Sequence, residues 1–413
     1  MTAEGPGLDA LRPRTAALAR GTNQSGVRLY NERLVLSQIR RHGSLPQAEI
    51  ARQTGLSAQT ISVIMKQLEA DGLVVKQDRQ RGKIGQPSVP FALNPEGVFS
   101  IGFKIGRRSC DLIIMDFVGG VHAALHETYP FPHPDFLVDF VRKGCPLLEA
   151  KLPAQQRRRI AGLGIATPFE LWNWEEEVGA PHEVMQEWRG VDIAAEIEKL
   201  SAWPVYVCND ATAACAAELV FGNGAHYLDF LYVFIGWFIG GGVVLNGSLY
   251  PGRSGYAGAV APLPVCSVGP GGRLVTRQLL DSASTFMLER RIAAAGGDPR
   301  PVWESPDDWS AIEPAVGEWI EEISGGLAQM AISATSVIDF EAIVVDGAFP
   351  PSVRKRIVAR VNEKVQNFDR QGLMPAAIVE GSVGSRARAI GGACLPLLAN
   401  FARDREVLFK EAV

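Results

Sequence analysis

The chain has only six cysteines in 413 residues, Cys110, Cys145, Cys208, Cys215, Cys266 and Cys394, and no Cys-x-x-Cys pair. Scattered thiols, mostly within apolar runs, exclude a disulfide framework and read as small core residues in a reducing compartment. The opening stretch MTAEGPGLDALRPR lacks the apolar segment of a signal peptide. Long hydrophobic runs are missing too. The longest uncharged one, Phe230 to Leu245, has sixteen residues and is interrupted by Gly236 and by Gly240, Gly241 and Gly242, so it is too short and too broken for a spanning helix. A cytoplasmic location with no membrane partner is expected. There is no P-loop, no nucleophile elbow and no Gly-x-Gly-x-x-Gly following a strand.

What is present is ordinary globular material, 47% apolar and 21% charged, which excludes disorder as the main state. At roughly 100 to 200 residues per domain, two to four domains are expected. The net charge of −4 is unevenly spread. Residues 1–95 carry thirteen Lys or Arg against seven Asp or Glu, a net of +6, which leaves −10 for the other 318 residues. A basic head on an acidic body suggests a reader of the phosphate backbone joined to a domain that does not touch nucleic acid.

Residues 1–25 mix Gly, Pro, Thr, Ser and Arg without periodicity and read as a mobile arm. From Asn31 to Arg41, Val35, Leu36 and Ile39 share one helical face, and Gly43 ends the run. Pro46 suits the first turn of a short second helix through Ile50, Ala51 and Thr54, with Gly55 allowing a sharp turn. Ser57 is a good N-cap for a third helix reaching about Ala70. Its Ile61, Ile64, Met65 and Leu68 must face the first two helices, while Gln59, Ser62, Val63 and Lys66 occupy the opposite arc. This is the helix-turn-helix pattern, with short polar side chains able to reach base edges. The pattern also fits any small three-helix bundle.

The next segment favours the first reading. Asp71-Gly72 turns into a strand, Leu73 to Lys76, followed by Gln77 to Pro87 with Arg79, Arg81 and Lys83 among Gly82, Gly85 and Pro87. It reads as the β-wing of a winged helix, its basic tip on phosphates or in the minor groove. Phe91 to Pro95 reads as a connector. The DNA-binding candidates are Ser57, Gln59, Thr60, Ser62, Lys66, Arg79, Arg81 and Lys83.

From Val98 the texture becomes α/β. Strands are predicted at Phe99 to Ile105, Ser109 to Asp116 and Val121 to Tyr129, a helix at about Phe136 to Leu148, and a strand at Ile160 to Ala166. Three antiparallel strands leading into a helix match the first lobe of an actin-like ATPase (ribonuclease H-like) fold, while periodicity alone supports only a generic α/β domain.

The segments CNDATAACAAELVFGNG at 208–224 and FLYVFIGWFIGGGVVLNGSLYPGRSGYAG at 230–258 resemble the ROK family of bacterial sugar kinases and sugar-responsive repressors. The resemblance runs from about Phe99 to Leu398, and the winged head places it with the repressor branch. It implies a two-lobed body at 96–413, lobe one about 98–210 plus a C-terminal helix at 386–402 and lobe two about 211–385, behind a winged helix-turn-helix at 26–95.

The departures from the family pattern remove atoms that its chemistry uses. Lys104 stands where the kinases place the acid of Asp-x-Gly-x-Thr, and Arg107 and Arg108 replace the Gly-Thr turn, where they could hold an anion or an acidic surface. Trp237 and Phe238 replace Thr and Gly in the second phosphate hairpin, and the remaining glycines are explained by a tight turn. Ala259 replaces the sugar-binding Glu and Pro262 the zinc-binding His, and of the zinc thiolates only Cys266 survives, read as a buried thiol. No metal, no cofactor and no catalytic residue are expected.

Asn209 and Asp210 match the sugar contact and the catalytic base of the kinases, and Tyr256 lies in the sugar motif, so these three are the effector-binding candidates. Asp210 fits equally the N-cap of a helix over Ala211 to Phe221. His122 and His126 fall in a strand, and His182-Glu183 lacks a second His. Glu175-Glu176-Glu177 reads as a solvated loop, and Gly391-Gly392-Ala393 as small-residue packing between helices.

The expectation is a regulator, a repressor of carbohydrate-related genes, that binds a double-stranded DNA operator as a homodimer or homotetramer, with half-sites about one helical turn or a multiple of it apart. A sugar or sugar-derivative effector is implied by the resemblance. The alternatives are a ROK sugar kinase with an added head, which Lys104, Trp237 and Ala259 oppose, and a regulator answering to a protein partner.

Overall fold

The computed structural model describes residues 24–78, 89–169, 171–173 and 179–403. Contacts divide the chain into two compact units, residues 1–210 with 389–413, and residues 211–388.

In the first unit the head comes first. Helix α1 (Gln24–His42) begins earlier than the apolar pattern indicates, running through Gly26 in its first turn. Strand β1 (Ser44–Pro46) leads into α2 (Gln47–Thr54), which Gly55 ends in the left-handed conformation at φ 70°, its amide donating to Ala51 O at 3.0 Å. Helix α3 (Ala58–Ala70) follows, and Val35, Ile39, Ile50, Ile61, Ile64, Met65 and Leu68 close the bundle core, all at most 5% exposed. Strands β2 (Val74–Lys76) and β3 (Pro90–Leu93) flank the wing segment. The Phe91–Pro95 stretch is therefore not a simple connector. It contains the middle strand of a β1-β3-β2 antiparallel sheet, with Leu45 opposite Phe91 and Val74 opposite Leu93.

The body half of this unit is a five-stranded sheet in the order β6-β5-β4-β7-β8, built from β4 (Phe99–Ile105), β5 (Ser109–Asp116), β6 (Val121–Thr128), β7 (Ile160–Thr167) and β8 (Val205–Asn209). Strands β4, β7 and β8 run parallel, and β5 and β6 form an antiparallel edge. Helix α4 (Pro134–Glu149) lays Leu137, Val141 and Leu148 on one face. The closing helix, Ala387–Phe401, covers the other. A Cβ on Gly102 would stand 2.4 Å from Ala389 O, and one on Gly164 2.0 Å from Gly392 O. The small residues of the closing helix thus serve contact with a sheet and not, as the sequence suggested, with another helix.

The second unit repeats the arrangement. Helix α5 (Asp210–Phe221) leads into a sheet ordered β11-β10-β9-β14-β15, from β9 (Phe230–Ile235), β10 (Ile239–Leu245), β11 (Ser248–Tyr250), β14 (Ala342–Gly347) and β15 (Ala377–Glu380). A separate hairpin joins β12 (Pro264–Val268) and β13 (Leu274–Gln278). Helices α6 (Thr285–Ala294), α7 (Glu313–Val337) and α8 (Pro351–Val365) supply the main core with Leu288, Trp319, Ile323, Leu327 and Ile357. Both units thus hold a mixed sheet of the same strand order, three parallel strands with an antiparallel pair at one edge, the two-lobed α/β arrangement expected of an actin-like fold. Among the described residues no helix is long and apolar enough to cross a membrane.

Candidate nucleic-acid interface and the strand residues of the body

The surface of α3 is set by its cap and its buried stripe. Ser57 Oγ accepts from the Thr60 amide at 3.1 Å and lies 2.8 Å from Thr60 Oγ1, which fixes the helix start. Opposite the buried stripe, Gln59, Ser62, Val63 and Lys66 are exposed, and Thr60 is half-buried. No carboxylate engages the Lys66 ammonium in an ion pair among the described residues. Glu69, which could have reached it, pairs instead with Lys76 at 2.7 Å. Arg79, Arg81 and Lys83 lie outside the described residues.

The head is docked on its own unit. Arg33, 6% exposed, points Nη1 at Ala402 O, 3.4 Å away, and Arg40 stacks its guanidinium 4.9 Å from the centroid of the Phe117 ring. Phe117 is fully buried and meets Phe401 edge-on at 5.2 Å. Removal from water pulls the Arg40 pKa down to about 10, so it remains charged at neutral pH. The same burial pushes the neighbouring Cys394 thiol up to about 12, partly offset by Arg40, so that thiol is inert. On the other side Arg159 donates to Gly97 O at 3.0 Å and approaches Asp71 O at 3.4 Å. The joint thus grips both ends of the head, α1 and the turn after α3.

In the body, the strand that carries the first phosphate loop in a kinase holds Lys104, 6% exposed. Its Nζ donates to Ser109 O at 3.2 Å and Ser109 Oγ at 3.0 Å, and pairs with Asp111 Oδ2 at 3.1 Å. Burial pushes the Asp111 carboxyl up, but the Lys104 charge and a 2.6 Å hydrogen bond with His126 Nδ1 outweigh it and hold the carboxyl below its ordinary value. His122 meets Asp116 at 3.1 Å. A satisfied ammonium does not fit a magnesium site.

The second hairpin does not fit a phosphate either. Its turn, Gly236-Trp237-Phe238, is filled by rings, Trp237 against Phe238 at 4.4 Å and against Phe286 at 5.1 Å. The amides of Thr285 and Phe286, at the start of α6, donate to the Gly236 and Trp237 carbonyls at 2.9 and 3.2 Å. The glycine triplet is not part of that turn, contrary to the sequence reading. It lies in β10, where Cβ atoms on Gly240 and Gly242 would meet Ala211 and Cys215 of α5 at 2.7 and 2.5 Å. Close helix packing requires it.

Asn209 ends β8 opposite Thr167 and is half-buried. Asp210, also half-buried, is the first residue of α5 and lies within its first turn, not before the helix as an N-cap would. Tyr256 belongs to the second unit, in the turn segment after β11, and is 50% exposed. Cys266 is exposed, which corrects its reading as a buried thiol. It sits in the β12–β13 hairpin opposite Thr276, with Val268 and Leu274 each 72% exposed beyond it. Pro262 offers no ligand beside Cys266, and four are needed for a structural zinc site.

Two buried acids escaped the sequence reading. Glu218, fully buried in α5, accepts from the Asn223 and Ser382 amides and from Asn223 Nδ2 and Ser382 Oγ. Asp346, fully buried at the end of β14, accepts from Tyr232 Oη, Arg354 Nη1 and the Gly384 amide. Glu218 ties the loop following β15 to α5, and Asp346 ties the same loop to the sheet. An acid in a strongly apolar stretch, as in VVDGAF, was the available signal.

Two family models match parts of the chain. A model of the ROK family matches residues 101–271, and a model of the winged helix-turn-helix DNA-binding domain matches residues 28–75. The chain carries a ROK family domain behind a winged helix-turn-helix domain. It is similar to the uncharacterized protein y4fQ of Sinorhizobium fredii, 26% identical over 90% of this chain and 91% of that protein. It is 27% identical to the xylose repressor of Bacillus spizizenii over 60% of this chain, a match that spans 64% of the repressor's length. Among solved structures, a ROK family transcriptional regulator, a homolog of the Escherichia coli MLC protein, superposes with a TM-score of 0.64 at 18% identity, covering 93% of this chain and 98% of its own. That ROK regulator, head included, shares the fold.

Proposed function

We propose that this ROK protein is a sequence-specific DNA-binding transcriptional regulator, a repressor of carbohydrate-related genes, whose body is a ligand-sensing and assembly domain and not a kinase. The observation that carries the reading is α3, a capped helix with a packed apolar stripe behind Gln59, Ser62 and Lys66 in water. The docking of the head through Arg40 of α1 on Phe117 gives the body a hold on the domain that carries α3. The repressors among its relatives support the sign of regulation and a sugar or sugar-derivative effector, with Asn209, Asp210 and Tyr256 as contacts. An effector acts by preferring one of two conformations. Assembly as a homodimer or homotetramer would place two heads on a palindromic operator.

Lys104 paired with Asp111, and a hairpin filled by Trp237 and Phe238, support the absence of sugar phosphorylation. Two assays test the proposal. Selection from a random-sequence duplex pool by the purified full chain is expected to return a palindromic motif, and a coupled assay with ATP and a panel of hexoses and pentoses is expected to show no turnover. Sustained ATP-dependent sugar phosphorylation with no enriched motif would overturn it.

A further inference from the structure

On the outward face of α3 one side chain does not suit a solvated surface. Val63 is 64% exposed, at the edge of a polar arc made by Ser62, Lys66 and Gln59 and next to Gln59. The neighbouring apolar positions Ile61, Ile64, Met65 and Leu68 are each at most 5% exposed, so the bundle has no use for a further one. A β-branched residue is also a poorer helix former than the Lys, Glu or Gln an exposed position ordinarily takes. Ser57 and the buried stripe hold the helix rigidly, so Val63 projects in a fixed direction beside the three polar side chains.

We propose that Val63 is a specificity residue that reads the C5-methyl group of a thymine in the major groove. This rests on the DNA-binding reading above and names what that surface recognises. Of the groups on the major-groove base edges, the thymine methyl is the apolar one, and aliphatic side chains are its usual partners. One helical turn separates Val63 from Gln59 on one side and, within a residue, Lys66 on the other, so the methyl reader is flanked by a hydrogen-bonding residue and a phosphate-binding one. The valine isopropyl group removes the methyl from water without needing a hydrogen bond, so thymine is favoured over uracil and cytosine at that base.

The experiment uses the full chain and the duplex it selects. Each thymine in a half-site is replaced in turn by deoxyuridine, which lacks only the methyl, and dissociation constants are compared for the wild type, Val63→Ser and Val63→Ala. For the wild type one position per half-site is expected to lose about fourfold in affinity, the worth of one buried methyl. For Val63→Ser that loss disappears, and Val63→Ala retains part of it. Circular dichroism melts of the variants are expected to match the wild type, because the position is exposed. Selective binding with no deoxyuridine-sensitive position, or a sensitive position that Val63→Ser leaves unchanged, overturns the assignment while leaving the DNA-binding reading intact. Failure to select any duplex overturns both.

Discussion

The guanidinium of Arg40 lies 4.9 Å from the centre of the Phe117 ring, joining the first helix of the DNA-binding head to the turn between β5 and β6 of the body. The contact is cation–π in type and partly removed from water, where such pairs are worth about 1 to 2 kcal/mol. Phe117 also carries Phe401 of the closing helix, so three segments distant in sequence meet at one ring.

Phe117→Ala removes that ring and leaves a cavity under the head. A loss of about 3 kcal/mol of unfolding free energy is expected, in line with other buried Phe truncations. Urea denaturation followed by tryptophan fluorescence checks it. A midpoint equal to that of the wild type would mean that the head is not packed on this residue.

Ser57→Ala removes the side-chain acceptor for the Thr60 amide. The head should lose about 1 kcal/mol, and the start of α3 should fray. Amide hydrogen exchange across residues 58–62 is expected to quicken while residues 64–70 stay protected. Uniform protection would show that Ser57 is not the cap.

Asp111→Asn leaves Lys104 buried without its counter-charge. The expected cost at neutral pH is about 2 kcal/mol, below that for a wholly buried pair because Asp111 keeps partial access to water. The Asp111 carboxyl is held below its ordinary value in the fold. Its contribution is therefore fully present above about pH 4, where the unfolded carboxyl titrates, and is lost as pH falls through the lower folded value. The stability gap between wild type and variant should narrow in that acid window.

Glu218→Ala strips the acceptor from five donors, three amides and two side chains, on the segments at Asn223 and at Ser382 and Val383. A loss of about 2 kcal/mol is expected, because the partly buried donors around the fully buried Glu218 lose their acceptor. Glu218→Gln, which keeps one acceptor oxygen, should recover part of it. Equal stability of both variants with the wild type would contradict the role.

Much of the head was legible because its signals are local. Ser57 announces its helix, Gly55 its turn, and Ile61, Ile64, Met65 and Leu68 a single face. Strands β4 and β5 were also legible to the residue, bounded as they are by Gly106 and the Asp116 turn. Strands β1 and β3 were not. Three or four residues carry no period, and Leu45 meets Phe91 only through pairing across the domain. The role of the glycines in β10 was hidden for a related reason, since the α5 side chains that crowd Gly240 and Gly242 lie far from them in sequence. Cys266 was misread because an apolar neighbourhood in sequence became a projecting hairpin whose valine and leucine face water. The site residues follow the same division. Gln59, Ser62 and Lys66 could be placed on one face from spacing alone, whereas the engagement of Lys104 by Asp111 depends on a strand register that spacing does not specify.

The most direct test of the account is a titration of the selected duplex with the full chain at two salt concentrations, comparing wild type with Gln59→Ala and Lys66→Ala. If α3 is the reader, Lys66→Ala should weaken binding to all sequences and reduce the slope of log K against log salt by about one, while Gln59→Ala should relax discrimination between bases and leave the slope unchanged. Binding by both variants that equals the wild type in affinity, slope and selectivity would contradict the claim that this helix reads DNA.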